Sequence, residues 1–200
     1  IRYNRNGIFT ECTGKPDNIY YWEKRRIMMK IEYRKGNTGD LKEICALIKG
    51  AIVNLERHNI FQWDNLYPDE EILREDIIKK ELNAGIISGR IASIYVLNQE
   101  SDEDYINGRW KYADLPYCVI HRLCVNPDFQ NMGVAGRTMK HIEDEVLKMG
   151  IKAIRLDAFT ENPFALKLYH SLGYRITGYA DWRKGRFCLM EKYLELPEPA

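Results

Sequence analysis

The chain has 200 residues, of which 45% are hydrophobic, and this length suits one well-buried domain better than two. Thirty basic and 29 acidic residues leave a formal net charge of +1, which excludes the one-sided positive field that binding to a nucleic-acid backbone needs. Five cysteines at spacings that fit no metal site, and no apolar run as long as a membrane span, predict a cytoplasmic protein with no metal, nucleic-acid or membrane partner.

Residues 1–28 show no sustained helix or strand period. The stretch EKRRIMM, residues 23–29, is one that a purine-rich ribosome-binding sequence followed by paired start codons would encode. Two interpretations stay open: a translated leader ahead of a start at Met28 or Met29, or a genuine extension that packs on the domain or on a neighbour. We expect a single domain over residues 29–194 and a tail over residues 195–200.

From residue 29 onward, the spacing of apolar residues predicts regular elements. KIEYRK, residues 30–35, is the first strand. Thr38 is the expected N-cap of a helix whose inner face runs from Leu41 to Leu55. Asp69 is the expected N-cap of a second helix, and Leu82 is assigned to the inner face of that helix.

The middle of the chain predicts extended structure around a long loop. GIISGRIASIYVLN, residues 85–98, predicts a hairpin that turns at Ser88-Gly89. Residues 98–116 are polar and acidic, and long loops of this kind are usually functional. YCVIHRLCV, residues 117–125, lacks clean alternation and predicts a central strand that is covered on both faces. Cys118 and Cys124 are six positions apart on it, so we expect them on the same face as small core residues.

The last third predicts two further helices and three strands. The first helix runs from Ala135 to Met149 and is capped by Gly150, and the strand IKAIRLDAF follows. Asn162 and Gly173 frame a short helix, and the strands YRITGYA and RFCLMEKYL close the chain. The order of elements predicts a mixed sheet with helices on both faces, an α/β (α+β) fold.

The junction NPDFQNMGVAG, residues 126–136, joins the central strand to the next helix. Free main-chain amides at a helix start, with the positive end of the helix dipole, form an anion site, and Gly133 and Gly136 let phosphate oxygens approach. The phosphate-loop signatures of NTPases and of dinucleotide-binding folds are both missing. The junction fits a pyrophosphate site, and by itself it fits close helix packing equally well.

Two motifs carry a resemblance to a known family. Gln130–Ala135, QNMGVA, resembles the acyl-CoA-binding motif Q/R-x-x-G-x-G/A of the GNAT superfamily of N-acetyltransferases. NPFALKLYHSLGY, residues 162–174, is similar to the family's downstream motif N-x-x-A-x-x-L-Y-x-x-x-G-F/Y. The similar order of elements extends over residues 29–194, and FQWDNLYPDEEILREDI is similar to a segment of uncharacterised bacterial members. Asn131-Met132 departs from the family's usual Gly followed by Lys, Arg or Gln.

The resemblance implies a mostly antiparallel sheet that binds acetyl-CoA and transfers its acetyl group directly to a primary amine of a small molecule or protein. It implies that pantetheine pairs with the central strand, that pyrophosphate lies over the loop, and that Asn162 bonds to pantetheine. The implied cofactor-binding residues are Leu123, Cys124, Val125, Gln130, Asn131, Met132, Gly133, Val134, Ala135, Gly136, Asn162 and Ala165.

Two residues are candidates for proton transfer. Tyr169 matches the tyrosine that the family places near the departing sulfur, which makes it the candidate general acid, while core packing is its alternative role. His121 is the candidate general base, because the amine must lose a proton and imidazole titrates near neutrality. A structural histidine with a water chain as base, and an acyl-enzyme on Cys124, are alternatives.

Aromatic residues are candidates for the acceptor side. Trp63, Tyr67 and Trp110, with Tyr112, fall in segments that the family uses there, although each also suits a local anchor. A non-catalytic acyl-CoA sensor that kept the pocket is the rival function, and an acyl group other than acetyl is also compatible. Homodimers are common in the family. The sequence leaves the oligomeric state and the acceptor open.

Overall fold

The computed structural model describes residues 30–195. The expected leader or extension over residues 1–28 lies outside the described residues, as does the tail beyond residue 195. Within the described range the elements are β1 (Glu32–Lys35), α1 (Leu41–Glu56), α2 (Glu70–Ile78), β2 (Leu82–Ile87), β3 (Arg90–Asn98), β4 (Tyr117–Val125), α3 (Val134–Lys148), β5 (Ala153–Phe159), α4 (Pro163–Ser171), β6 (Arg175–Trp182) and β7 (Gly185–Tyr193).

The seven strands of the described range form one sheet in the order β1-β2-β3-β4-β5-β7-β6. Only the β4–β5 pair within this range is parallel, and the other pairs are antiparallel. β4 is the fourth strand of seven, as predicted for a central strand. The predicted mixed, mostly antiparallel sheet is confirmed.

Helices cover both faces of this sheet, because neighbouring residues of a strand point to opposite sides. Ile94 and Val96 of β3 pack against the apolar faces of α1 and α2. Tyr95 and Leu97, between and beyond them, pack with residues of α3 and α4 on the other side. Full burial of an aliphatic side chain such as Ile44 stabilises the fold by roughly 1.5–3 kcal/mol, so the two layers hold the sheet between them.

β4 and β5 part halfway along their length. Their pairing runs from Tyr117–Ala153 to Ile120–Leu156, and it stops there although β4 continues to Val125. The β5-facing edge of residues 121–125 therefore has no strand beside it in the described sheet. Such an open edge can accept an extended ligand as an additional strand.

A β-bulge lies in β4 where β5 departs. On β3 the step from Ile94 to Val96 spans two residues, whereas the opposing step on β4, from Cys124 back to His121, spans three. Arg122 takes up the extra residue in the left-handed region, with φ of 52°. An inserted residue of this kind reverses the alternation of side chains beyond it.

The bulge overturns the prediction that Cys118 and Cys124 share a face. Cys118 packs in the cluster under α3 and α4, and Cys124 packs in the cluster under α1 and α2. The prediction was wrong because an even spacing places two residues on the same face only when the strand between them is uninterrupted. Both side chains are nevertheless buried, as expected for small core residues.

Local predictions elsewhere were corrected or confirmed. The prediction of Thr38 as the N-cap of α1 was wrong, because Thr38 begins a 3-10 turn and Asp40 is the N-cap of α1. Asn37 caps that turn: its side chain accepts the Gly39 N–H at 2.9 Å, and Asp40 accepts the Asn37 N–H in a capping box. Leu82 begins β2 and does not belong to α2. The hairpin turn at Ser88-Gly89 is confirmed, with φ of 50° and 78°. No helix of residues 30–195 is long and apolar enough to cross a membrane.

Candidate active site

The start of α3 presents unused main-chain donors. Gly133 is its N-cap, with φ of 75°, and the Arg137 amide is the first to bond back, to the Gly133 carbonyl at 3.2 Å. Within residues 30–195, no hydrogen bond engages the amides of residues 131–136. A Cβ built on Gly133 or Gly136 would meet no atom within 4 Å. The local structure is an open anion cradle of the kind that a phosphate can enter.

The loop before α3 is shaped by its own residues. Asn131 has φ of 61°, a conformation that asparagine tolerates better than most side chains. The Gln130 side chain accepts a hydrogen bond from Asn54 Nδ2 at 3.0 Å, which ties the loop to α1. The departure at Asn131 thus keeps the backbone turn that a glycine would supply.

The open edge of β4 begins next to this cradle. Leu123 lines a cavity of about 700 Å³ at the split between β4 and β5. Cys124 points away from that cavity into the α1–α2 core, where burial raises the pKa of its thiol to about 12. A thiol that stays protonated and lies away from the cavity is a poor nucleophile, which speaks against an acyl-enzyme.

Asn162 and Ala165 also line the cavity, at the start of α4. The Asn162 Oδ1 accepts the Ala165 N–H at 3.0 Å as the cap of α4, and its Nδ2 donates to Gln62 Oε1 at 2.7 Å. Asn162 is 5% exposed, so the amide is held firmly. One lone pair and one N–H of this side chain are left for a ligand.

Seven of the 17 predicted site residues meet at this one cavity. Tyr169, His121, Trp63 and Tyr67 line it together with Leu123, Asn162 and Ala165. They come from α4, β4 and the loop between α1 and α2, which are distant in sequence.

Trp110 is not among the lining residues, and the prediction for it does not hold. Its ring packs 4.3 Å from the Arg155 guanidinium, and its Nε1 donates to the Tyr105 carbonyl at 2.8 Å. Tyr112 stacks on Tyr193, also outside the lining. Both side chains anchor the long loop locally. Arg155 of β5 holds the ring of Trp110 and Tyr193 of β7 holds the ring of Tyr112, so neither ring turns to the cavity.

Tyr169 has the environment that a proton donor needs. Its side chain is 8% exposed and lines the cavity, and no hydrogen bond within residues 30–195 engages its hydroxyl. Burial, and next the negative charge of Asp157, raise the pKa of this phenol above its ordinary value. The phenol is therefore protonated and free at neutral pH.

His121 is held by its neighbours. Its Nε2 lies 3.1 Å from Asn98 Oδ1 and 3.0 Å from the Glu100 carbonyl. Asn98 is oriented by its own bonds, from Nδ2 to Glu81 at 2.8 Å and from the Glu100 N–H to Oδ1 at 3.1 Å. Both neighbours of Nε2 are acceptors, so Nε2 carries the hydrogen. Burial, and next the charge of Arg122, lower the pKa of the ring, so Nδ1 is its basic atom at neutral pH.

Asp157 is a site residue that the sequence predictions missed. It is the first residue of β5 beyond the last pair with β4, and it lines the cavity. Tyr105 Oη donates to its Oδ1 at 3.0 Å. The pKa of this carboxyl is raised to about 6: burial raises it most and the charge of Asp102 adds to the rise, while the Tyr105 hydrogen bond and Arg122 oppose it. The available signal was an aspartate inside the apolar strand IKAIRLDAF.

A buried ion pair holds the bulge of β4 in place. Arg122 donates to Asp76 of α2 through Nε at 2.8 Å and Nη2 at 2.6 Å. Its Nη1 donates to Tyr67 Oη at 2.9 Å. The side chains of Arg122 and Asp76 are 13% and 7% exposed. The guanidinium of Arg122 thus connects the bulge of β4 to α2 and to the loop that contains Tyr67.

A second ionic contact joins the loop of Tyr67 to the turn between β6 and β7. Asp64 accepts from Arg183 at 2.7 and 2.9 Å and from Lys184 at 3.3 Å. Both basic residues line the cavity. No cluster of His, Cys, Asp and Glu in the described part of the chain is arranged to hold a metal ion. The titratable side chains that line the cavity include phenols, carboxylates and an imidazole.

A central sheet that splits at a bulge, with an open helix N-terminus at the end of the split, defines an α/β protein of the acyl-CoA-binding class. The chain belongs to the acetyltransferase (GNAT) family, whose family model matches residues 58–174. The resemblance of the two motifs is thereby confirmed.

Curated and solved relatives agree with this family. The chain is 32% identical over 60 residues to the [Ribosomal protein bS18]-alanine N-acetyltransferase of Escherichia coli strain K12, a match that covers 30% of this chain and only 40% of that relative. A GNAT-family acetyltransferase structure from Streptococcus agalactiae superposes with a TM-score of 0.74 at 20% identity, over 83% of this chain and 96% of that one. The yncA structure from Salmonella typhimurium, a putative acetyltransferase with its cofactor acetyl-CoA, gives 0.61 at 14%, over 86% and 98%.

Proposed function

We propose that the protein is an acetyl-CoA-dependent N-acetyltransferase that transfers the acetyl group directly to a primary amine, and that residues 29–194 form its catalytic domain. The observation that carries the proposal is the meeting, at one cavity, of the open β4 edge, a free protonated phenol and a carboxylate with a pKa of about 6. These are the parts that amine acylation needs: a cofactor slot, an acid and a base. Family membership supports the reaction class.

The residues present fit acetyl-CoA. We assign the pyrophosphate to the free amides of residues 131–136, where Gly133 and Gly136 leave room. The open edge of residues 123–125 would hold the pantetheine as an added strand, and Asn162 would bond to it with its remaining N–H or lone pair. The cofactor supplies the thioester. A main-chain N–H at Leu123 donates to the thioester oxygen as negative charge develops there.

We assign the proton transfers to Tyr169 and Asp157. The Asp157 carboxylate takes a proton from the arriving ammonium group, which frees the lone pair that attacks the thioester carbon. As the carbon–sulfur bond breaks, Tyr169 donates its phenolic proton to the departing sulfur, and the second proton of the acylated nitrogen restores the phenol. A protonated phenol and an ionised carboxylate coexist near pH 7, because that pH lies above the pKa of about 6 of the Asp157 carboxyl and below the raised pKa of the Tyr169 phenol.

His121, the base that the sequence predicted, is a second candidate. Its Nε2 hydrogen is committed to the β3–β4 loop, so Nδ1 would have to accept the proton. We favour Asp157 because it lies at the split itself and carries the charge that attracts an ammonium. Replacing His121 by Gln keeps a donor toward Asn98 and removes the basic nitrogen. Loss of the acidic limb of the pH profile in that variant, with the limb retained in Asp157→Asn, would reverse the assignment.

Release of free thiol tests the proposed reaction. The protein is incubated with acetyl-CoA and a panel of primary amines, and coenzyme A is read with a thiol reagent. Tyr169→Phe should lower kcat by about 100-fold, within the range that general acids contribute. Tyr174→Phe is the matched control, because its ring packs 5.9 Å from that of Tyr169 and does not line the cavity. Tight acetyl-CoA binding with no amine-dependent thiol release would instead support the rival sensor function.

The acceptor is not carried over from the curated relatives, since the match spans less than half of their length. We propose a cytoplasmic location, which suits the unpaired thiols of Cys45, Cys118, Cys124 and Cys188. A homodimer stays a prediction, and sedimentation velocity would test it.

A further inference from the structure

The charged side chains around the cavity are divided unequally between those that have an ionic partner and those that have none. Each basic side chain of the lining has a carboxylate behind it: Arg122 has Asp76, and Arg183 and Lys184 share Asp64. The charge of these side chains toward a ligand is therefore largely cancelled by partners that belong to the protein.

The acidic side chains of the lining are not cancelled in this way. Glu100, Asp102 and Asp157 all line the cavity, and no ion pair within residues 30–195 involves any of them. Asp102 caps a 3-10 turn by accepting the Asp104 N–H at 2.9 Å, a bond that leaves its charge in place. The negative charge of Asp102 is felt at Asp157, whose pKa it raises. The carboxylates therefore act on one shared space.

The lining also includes aromatic and aliphatic side chains, among them Trp63, Leu66, Trp182 and Phe187. Glu100 and Asp102 are exposed, whereas Asp157 is partly buried. The volume of about 700 Å³ is that of a small-molecule site. Apolar side chains that share one cavity with a partly buried carboxylate and two exposed ones complement an aliphatic chain that carries more than one positive charge.

We infer that the acceptor is a small aliphatic amine that carries a second ammonium group, such as a diamine or polyamine. The inference rests on the proposed function. Asp157 takes the reacting ammonium, and Glu100 and Asp102 attract the distal one. The reacting nitrogen gives one proton to Asp157 before attack, and a carbon–nitrogen bond replaces the carbon–sulfur bond. Tyr169 protonates the sulfur, and the second proton of the acylated nitrogen restores the phenol. The products are a mono-N-acetylated amine, still cationic at its far end, and coenzyme A.

The test compares amines that differ by one charge. For the full chain, kcat/KM is measured with 1,4-diaminobutane and with n-butylamine, which has the same carbon chain and one ammonium fewer. We expect the diamine to be preferred by about tenfold or more at low salt, the size of one ionic contact at a protein surface. The preference should shrink as ionic strength rises.

Variants assign the preference to the two exposed carboxylates. The double variant Glu100→Gln, Asp102→Asn should lose most of the diamine preference, measured as the ratio of kcat/KM for 1,4-diaminobutane to kcat/KM for n-butylamine. Asparagine can still cap the turn at residue 102. Glu103→Gln and Asp114→Asn are matched controls, because these acidic residues are in the same loop and do not line the cavity. The controls should keep the preference of the unchanged protein.

The failures of the two proposals can be told apart. Turnover of n-butylamine as fast as of the diamine, or a preference for a Lys-containing peptide over both, would overturn the diamine inference and leave the acetyltransferase intact. Titration calorimetry of both amines against the protein reads the same selectivity without turnover. No thiol release with any amine, together with tighter binding of the diamine, would refute the catalytic proposal alone. Equal dissociation constants for the two amines would refute the diamine inference.

Discussion

Replacement of Asp157 by Asn should stabilise the folded protein while it abolishes the proposed catalytic base. The carboxyl lies at the split of the sheet, where burial raises its pKa from 3.8 to about 6. A carboxyl whose pKa is higher in the folded state binds its proton more tightly when folded. Its contribution to stability is complete below the unfolded pKa and is lost as the pH rises through the folded pKa.

The size of this effect follows from the two pKa values. At about 1.4 kcal/mol per pH unit, a rise from 3.8 to about 6 costs the folded state about 3 kcal/mol once both states are ionised, above roughly pH 7.5. About half of that cost is already present at pH 5. Asparagine carries no charge at any pH, and its Oδ1 can still accept the hydrogen bond from Tyr105.

Urea unfolding at pH 5.0 and pH 8.0 measures the effect. The gain in free energy of unfolding of Asp157→Asn over the unchanged protein should be larger at pH 8.0 than at pH 5.0 by about 1.4 kcal/mol. The comparison between two pH values cancels any effect of the substitution on packing. An equal gain at both pH values, or a smaller gain at pH 8.0, would show that the carboxyl titrates normally in the folded state and would remove the physical basis for its role as base.

Three further predictions test the site. The acidic limb of kcat/KM should have an apparent pKa of about 6, vanish in Asp157→Asn, and move to higher pH in Tyr105→Phe, because the Tyr105 hydrogen bond lowers that pKa. Gly136→Val should raise KM for acetyl-CoA about tenfold or more at unchanged stability, whereas Gly133→Ala should destabilise by about 1 kcal/mol because φ is 75° there. Arg122→Met should lower the free energy of unfolding by about 3–5 kcal/mol, because it leaves Asp76 buried and unpaired, and Asp76→Leu in the same chain should recover part of the loss.

Local patterns could be interpreted without a structure. The open cradle at residues 131–136 depends on a helix start and on two glycines, and both are visible in the sequence. Asn162 caps its helix as predicted, since an asparagine before a proline at a helix start has few other roles. The order of elements and the two motifs also identified the family. These features arise from interactions between residues a few positions apart.

The proposed base, Asp157, and the residues on the acceptor side could not be predicted from such local patterns. Asp157 has a pKa of about 6 because distant segments enclose it, and Tyr105 is 52 positions away. Trp110 was assigned to the cavity by its position in a loop, and a contact with Arg155 of β5 turns it elsewhere. In both cases the deciding neighbour comes from another element.

The sequence by itself determined the cap of α4, the open helix start at residues 131–136 and the family, because backbone geometry and capping act over one or two turns. Only the tertiary structure decided which way side chains point beyond the bulge at Arg122 and which carboxylates share the cavity. It also decided that these carboxylates form no ion pair within residues 30–195. Solvent exclusion and charge pairing depend on distance in space, and folding brings residues together without regard to their separation along the chain.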